Sequence, residues 1–174
     1  NSLEGYLLST NYDFYENSSS KEIIDSMINR MKMFFDDELI NQTKQAGLTV
    51  HQVLTLASIV NGETKNVEEM PIIAGVYLNR LKRGMKLQAD PTIQYLQQNG
   101  WKRLSYNDLK IDSPYNTYKY FGLPPGPINN PGEEAILAVL YPQKHNYLFF
   151  VADGKGKHKF AETFTQHKIY AREY

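Results

Sequence analysis

The sequence has no cysteine among its 174 residues. That excludes disulfides, thiol nucleophiles and cysteine-held metals, and it is compatible with either redox compartment. No apolar run approaches the roughly 18 residues that a membrane span needs, and the start carries no secretory leader. Asn1 stands where a starting Met would, which points to a piece of a longer protein, so these two absences describe the piece only. An excess of one charge is also missing: 19 Lys and Arg balance 19 Asp and Glu, leaving no field to attract nucleic acid, and no nucleic-acid partner is expected. His51, His145, His158 and His167 are scattered, with no HExxH spacing, so neither a metal nor a cofactor is expected. There is no Gly-x-Ser-x-Gly elbow, although a Ser-His-Asp triad has no fixed order in sequence. Gly154-Lys155-Gly156 is a turn signal rather than a phosphate loop.

What remains is ordinary for a soluble globular chain, with 41% hydrophobic and 22% charged residues, and its length suits one domain with one core. The thirteen tyrosines suit a carbohydrate groove, where a flat apolar face meets a sugar ring and the hydroxyl bonds to it. They also suit a mixed core and its rim. Leu3 to Tyr15 reads as irregular or extended. Ser18 to Ser20 offer an N-cap, and Ile23, Ile24, Met27, Ile28, Met31, Phe34 and Phe35 recur at helical spacing, predicting one long helix that ends near Gly47. Thr49 and Gln52 have capping-box spacing ahead of a second, broadly apolar and therefore central helix. Pro71 opens a third that stops at Gly84. Asp90-Pro91 starts a shorter helix, and Asn130-Pro131 another through Ile136, Leu137 and Val139. Tyr147 to Ala152 reads as a buried strand, Asp153-Gly154 as a turn, and Lys157 to Phe160 as the hairpin partner. A last helix covers Gln166 to Arg172. Between Ser113 and Pro131 runs a long Pro/Gly/Tyr-rich loop, and such loops in compact domains are usually functional. The fold class is α+β, a mostly helical single domain with a small antiparallel sheet.

Among the carboxylates, Glu63 stands out. It ends the apolar second helix behind Leu56, Ile59 and Val60, where desolvation disfavours its charged form and raises its pKa. A general acid working near neutrality needs that property. An ordinary solvated Glu at a helix end is the plainer alternative. Glu68 and Glu69 fall near the start of the next helix, where acidic residues complement the helix dipole.

Several longer motifs are more specific. Ala57-Ser-Ile-Val-Asn-Gly-Glu-Thr, then Glu69, then Ala74 through Ile93 (Ala-Gly-Val-Tyr-Leu-Asn-Arg-Leu-Lys-Arg-Gly-Met-Lys-Leu-Gln-Ala-Asp-Pro-Thr-Ile) resemble the endolytic murein transglycosylases, the YceG-like family. The resemblance starts at Leu3-Glu4-Gly5 and continues through Tyr115-Asn-Thr-Tyr, Gly122-Leu-Pro-Pro-Gly-Pro-Ile, Asn130-Pro-Gly and Phe150-Val-Ala-Asp-Gly. It closes with His158, Phe160 and His167, so it covers nearly the whole chain in the family's order. The second glutamate of the family's Glu-Lys-Glu-Thr segment, its catalytic one, aligns with Glu63. The first aligns with Asn61, a departure that removes a carboxylate. A second departure is Leu8-Ser-Thr-Asn-Tyr, where relatives more often have a Pro-containing turn.

The resemblance implies cleavage of the β-1,4 bond between N-acetylmuramic acid and N-acetylglucosamine inside peptidoglycan strands, leaving 1,6-anhydro ends and limiting nascent strand length. Glu63 would be the single acid/base, whereas most glycoside hydrolases use two carboxylates. Asn79, Gln88, Asp90, Thr92, Tyr115, Asn116, Tyr118 and Glu69 are the expected substrate-binding residues, although Asp90 also reads as a helix cap and Asn79 as a structural helix end. The resemblance further implies one catalytic domain over residues 1–174, an N-terminal membrane anchor outside it, action at the extracytoplasmic face, and peptidoglycan synthases as partners. A lysozyme-like muramidase using water and a non-catalytic peptidoglycan-binding module are the two alternatives.

Overall fold

In a computed structural model describing residues 2–97, 100 and 102–173, seven helices and one hairpin fold around a single core. In chain order the helices are α1 (Ser20–Phe34), α2 (Asp37–Gln45), α3 (Val50–Glu63), α4 (Met70–Lys82), α5 (Asp90–Tyr95), α6 (Glu133–Leu140) and α7 (Phe164–Arg172). The strands β1 (Phe149–Ala152) and β2 (His158–Ala161) pair antiparallel between α6 and α7, with Phe150 opposite Phe160 and Ala152 opposite His158. No helix of the described residues is long and apolar enough to cross a membrane.

The core is built by α3, α4 and α6 packing on one another, with α5 and α2 against α3 and with α7 on the hairpin. The capping box at the head of α3 is present: Thr49 Oγ1 accepts from the Gln52 N–H at 3.2 Å, and Gln52 Oε1 accepts from the Thr49 N–H at 2.9 Å. Every residue from Val53 to Val60 is buried, and each Leu or Ile so covered contributes about 1.5–3 kcal/mol. The two hydroxyls in that run are satisfied locally. Thr55 donates to the His51 carbonyl at 2.7 Å, and Ser58 to the Thr55 carbonyl at 2.7 Å. Ser58 Oγ also accepts from the Ile128 N–H at 3.0 Å, and the Asn129 amide donates to the Ser58 carbonyl at 2.8 Å. These bonds fasten the proline-rich segment 123–129 along α3.

The structure departs from the sequence-based expectations in several places, among them the strand expected buried from Tyr147, which starts at Phe149 and is only half-buried, and the last helix, which starts at Phe164. The long first helix is two, because Asp36 accepts from the Leu39 N–H at 2.9 Å and restarts the chain as α2. The helix expected at Asn130-Pro131 begins three residues later, since Asn130 Oδ1 accepts instead from the Gly5 and Leu7 N–H groups at 2.6 and 3.3 Å. The hairpin turn is longer than Asp153-Gly154, because Asp153 Oδ1 gathers the Lys155 and Lys157 N–H groups at 2.7 and 3.0 Å. Asp90 is the first residue of α5 rather than its cap, a position taken by Ala89. The irregular N-terminal segment is tied in as well. Leu8 is fully buried, Ser9 bridges Gly132, and Gly5 packs so closely on Pro127 that a Cβ there would lie 2.2 Å from the ring.

Candidate active site

Glu63 is the last residue of α3, because Thr64 turns to extended backbone and ends the helix. The residue before it must be small: a Cβ on Gly62 would meet the Pro91 Cβ at 2.7 Å, so glycine is what lets α5 approach the end of α3. The half-buried Glu63 receives a short hydrogen bond at Oε1 from the hydroxyl of Tyr77, itself 1% exposed. Burial pushes the Glu63 carboxyl up to about 7. The Tyr77 hydroxyl works against that rise, the nearby Asp90 charge adds to it, and the Arg80 guanidinium opposes it. A carboxyl in this condition is protonated in half the molecules near neutral pH, which is what a general acid requires.

Two cavities of about 570 and 290 Å³ open on either side of this point, and Glu63, Asp90 and Ala152 line both. The larger is walled by Pro91, Gln94, Tyr95, Lys102, Arg103, Ile128 and Asn129, so one of its sides is the proline-rich segment held on α3. The smaller is walled by Tyr77 and Arg80 of α4, Gln88, Tyr118, Phe150 and Val151 of β1, and His158 of β2. Together they form a groove with a desolvated acid at its middle. A larger cavity of about 700 Å³ lies on the α1–α2–α6 face. There Asp36 is spent on capping α2, and Glu133 stands 3.9 Å from Arg30. Size does not select the site; the buried carboxyl does.

The surrounding groups are held by the fold. Buried Arg80 donates from Nε to the Leu148 carbonyl at 2.6 Å and lies over the Phe149 ring at 5.3 Å. Tyr118 donates a short hydrogen bond to Asp90 Oδ1, and burial first, then the Asp90 bond, raises its pKa, so the hydroxyl stays a donor. His158 donates from Nδ1 to Glu69 Oε2 at 2.9 Å, while its backbone N–H donates to Glu69 Oε1 at 2.9 Å. The ring is thereby fixed edge-on to Phe150, which in turn stands edge-on to Tyr77.

Of the residues expected at the site, Glu63, Gln88, Asp90 and Tyr118 come together in the groove. The others do not. Asn79 spends its amide on the His145 and Tyr147 carbonyls at 2.8 and 3.1 Å. Thr92 is fully buried, donating to the Ala89 carbonyl at 2.7 Å and sharing a hydrogen bond with Thr117 at 2.9 Å. Asn116 is fully buried and binds the Leu109 and Ile111 carbonyls at 3.0 and 2.7 Å, closing its own loop. Tyr115 backs the groove residue Tyr95, ring to ring at 4.9 Å. Glu69 is buried behind His158 and reaches the groove only through that ring. Asn61, which stands where a family carboxylate is expected, donates to Asn129 at 3.3 Å and so braces the groove wall.

Tyr77, Arg80 and His158 were not among the expected site residues. The signal for the first two was their i, i+3 spacing on α4, which sets both on one face. His158 was signalled by its place at the end of the resemblance.

In chemical class the site is one carboxyl of near-neutral proton affinity, held by a tyrosine hydroxyl, between two cavities. The model of the YceG-like family matches residues 1–173, and the chain belongs to that family. Among curated proteins it is 39% identical over 173 residues to the endolytic murein transglycosylase of Bacillus subtilis (strain 168), covering 99% of this chain and 48% of that protein. It is 38% identical over 156 residues to the endolytic murein transglycosylase of Streptococcus pneumoniae serotype 2, covering 87% of this chain and 28% of that one. A crystal structure of a yceG-like protein from Listeria monocytogenes superposes with a TM-score of 0.84 at 39% identity, over 96% of this chain and 54% of that one. The chain thus spans about half or less of the length of the curated relatives it matches.

Proposed function

We propose that this chain is the catalytic domain of an endolytic peptidoglycan lytic transglycosylase, with Glu63 as its acid/base. The observation that carries the reading is the Glu63 carboxyl, raised to about 7 at the middle of the groove and held at Oε1 by Tyr77. That bond leaves Oε2 to serve the substrate. Protonated Glu63 gives its proton to the oxygen between N-acetylmuramic acid and N-acetylglucosamine, and the bond from that oxygen to the muramyl anomeric carbon breaks. The muramyl 6-hydroxyl then bonds to the anomeric carbon and returns its proton to the Glu63 carboxylate. One new end is a 1,6-anhydro ring, the other a free 4-hydroxyl, and no water is consumed. The internal hydroxyl acts at an effective molarity on the order of 10⁵ M or more when well oriented, well above water's roughly 55 M.

Cuts fall inside a strand, as in the family the sequence resembles, which would limit nascent strand length. Gln88, Tyr118, Gln94, Tyr95 and Asn129 supply the amides and aromatic faces for the sugars. The family resemblance supports a membrane-anchored whole protein that works at the extracytoplasmic face beside peptidoglycan synthases.

Water as nucleophile is the second reading, favoured by Asp90, a second carboxylate lining both cavities. Digestion of purified peptidoglycan in oxygen-18 water separates the two. Unlabelled anhydro-muramyl ends are expected; label in new muramyl ends would make the enzyme a muramidase.

A further inference from the structure

The sequence places Asp90 among several expected binding residues without ranking it above them, yet the fold holds it in one particular position. The residue two before it, Gln88, has φ 49°, the only non-glycine residue with a positive φ among the described residues. Such backbone costs on the order of 1–3 kcal/mol and persists where the surroundings over-determine it. Here they do: the Gln88 N–H donates to the Thr117 carbonyl at 3.1 Å, and the Ala89 N–H to Thr117 Oγ1 at 2.9 Å. Thr92 closes the frame against Thr117. The same loop carries Tyr118, whose hydroxyl binds Asp90 Oδ1. Gly62 against Pro91 brings the start of α5 up to the end of α3. Two cavities therefore share two carboxyl groups, Glu63 and Asp90.

We propose that Asp90, held by Tyr118, is the second charged group of the reaction centre, stabilising the positive charge that develops on the muramyl ring as the glycosidic bond breaks. This rests on the transglycosylase reading above. The division of labour follows from what holds each carboxyl. Glu63 receives one hydrogen bond in a desolvated position and keeps its proton to near neutrality. Asp90 is exposed to the groove, and its Oδ1 accepts from the Tyr118 hydroxyl. Its second oxygen receives no bond from the described residues, and substrate filling the groove would strip water from it and strengthen its pull on a nearby positive centre. Asp90 forms no covalent bond and moves no proton.

The test compares Asp90→Asn, Asp90→Glu and Tyr118→Phe with the unaltered protein on peptidoglycan, measuring kcat, KM and product ends across pH. The groups facing Glu63 are Tyr77 and Arg80 from α4, Asp90 from α5, Tyr118 from its loop and His158 from β2, with Lys102 and Arg103 across the larger cavity. Only the Asp90 charge is removed by Asp90→Asn, and it is one that raises the Glu63 proton affinity. The basic limb of the kcat profile should therefore move to lower pH. At the optimum, kcat should fall about 100-fold with KM changed less than about threefold, the scale of losing one transition-state electrostatic contact. Asp90→Glu should recover part of that loss. Tyr118→Phe should fold normally and lose about tenfold in kcat. The proposal is overturned if Asp90→Asn raises KM alone, or leaves the pH limb in place. Should Asp90→Asn fail to fold, unchanged kcat in Tyr118→Phe overturns it equally. Labelled reducing ends from the unaltered protein would instead refute the transglycosylase reading, a distinguishable failure.

Discussion

Replacing Glu63 by Gln should make the protein more stable, and increasingly so as the pH rises. The unfolded chain releases this proton near the ordinary 4.5, whereas the folded protein holds it to about 7. Between those values the folded state keeps a proton that the unfolded state has lost, so stability falls with rising pH until the folded group has also ionised. At about 1.4 kcal/mol per pH unit, the interval from 4.5 to about 7 corresponds to about 3 kcal/mol that is present below pH 4.5 and gone above pH 7. A glutamine has no such proton and no such slope, and its carbonyl still accepts from Tyr77. All other titrations are shared, so they cancel in the difference between the two proteins. Urea unfolding of both from about pH 4 to about pH 9 measures it directly. The stability difference should shift in favour of the variant by about 3 kcal/mol across that range, or about 6–12 °C in Tm for a domain of this size. A difference that stays flat with pH would refute the claim that burial raises this carboxyl, and the acid role with it.

Two further outcomes follow from the same geometry. Tyr77→Phe removes the hydrogen bond that lowers the Glu63 proton affinity, so the basic limb of activity should move to higher pH while kcat falls about tenfold or more; a limb moving the other way would contradict the structure. Gly62→Ala places a methyl 2.7 Å from Pro91, which should cost about 1–3 kcal/mol of stability and depress kcat by parting α5 from α3; a variant with unchanged Tm and turnover would show that this close approach is not required.

Much of the helical frame was legible because it is written locally. Thr49 and Gln52 spell a capping box, and the Leu56 to Val60 run behind Glu63 announces both the central helix and the desolvated carboxyl at its end. Asp36 was not legible as a break, because the apolar spacing of α1 and α2 continues across it and only the Leu39 N–H reveals the new start. Asn79, Thr92 and Asn116 carry the groups a sugar site would use, but residue type does not tell whether a partner is a ligand or a carbonyl of the same chain. In the fold each finds the latter. Tyr77 was hidden in the apolar stretch of α4, where a tyrosine reads as core. It is core, and only the direction of its hydroxyl makes it part of the site. The family resemblance gave the position of Glu63, but the meeting of Glu63 with Asp90 depends on α5 packing on α3, a tertiary fact that no local pattern contains.

The strap at the start of the chain has a mechanical meaning. Gly5 presses on Pro127, its N–H and that of Leu7 hang on Asn130, and Glu4 accepts from the hydroxyl of Tyr95 at 2.8 Å. Pro127 belongs to the segment that walls the larger cavity, and Tyr95 is part of that wall. Residues 4–7 are therefore fastened to the rim of the groove, directly ahead of the fully buried Leu8. The proline-rich wall of the groove is thus stapled from two sides, by α3 behind it and by the first residues of the chain in front of it.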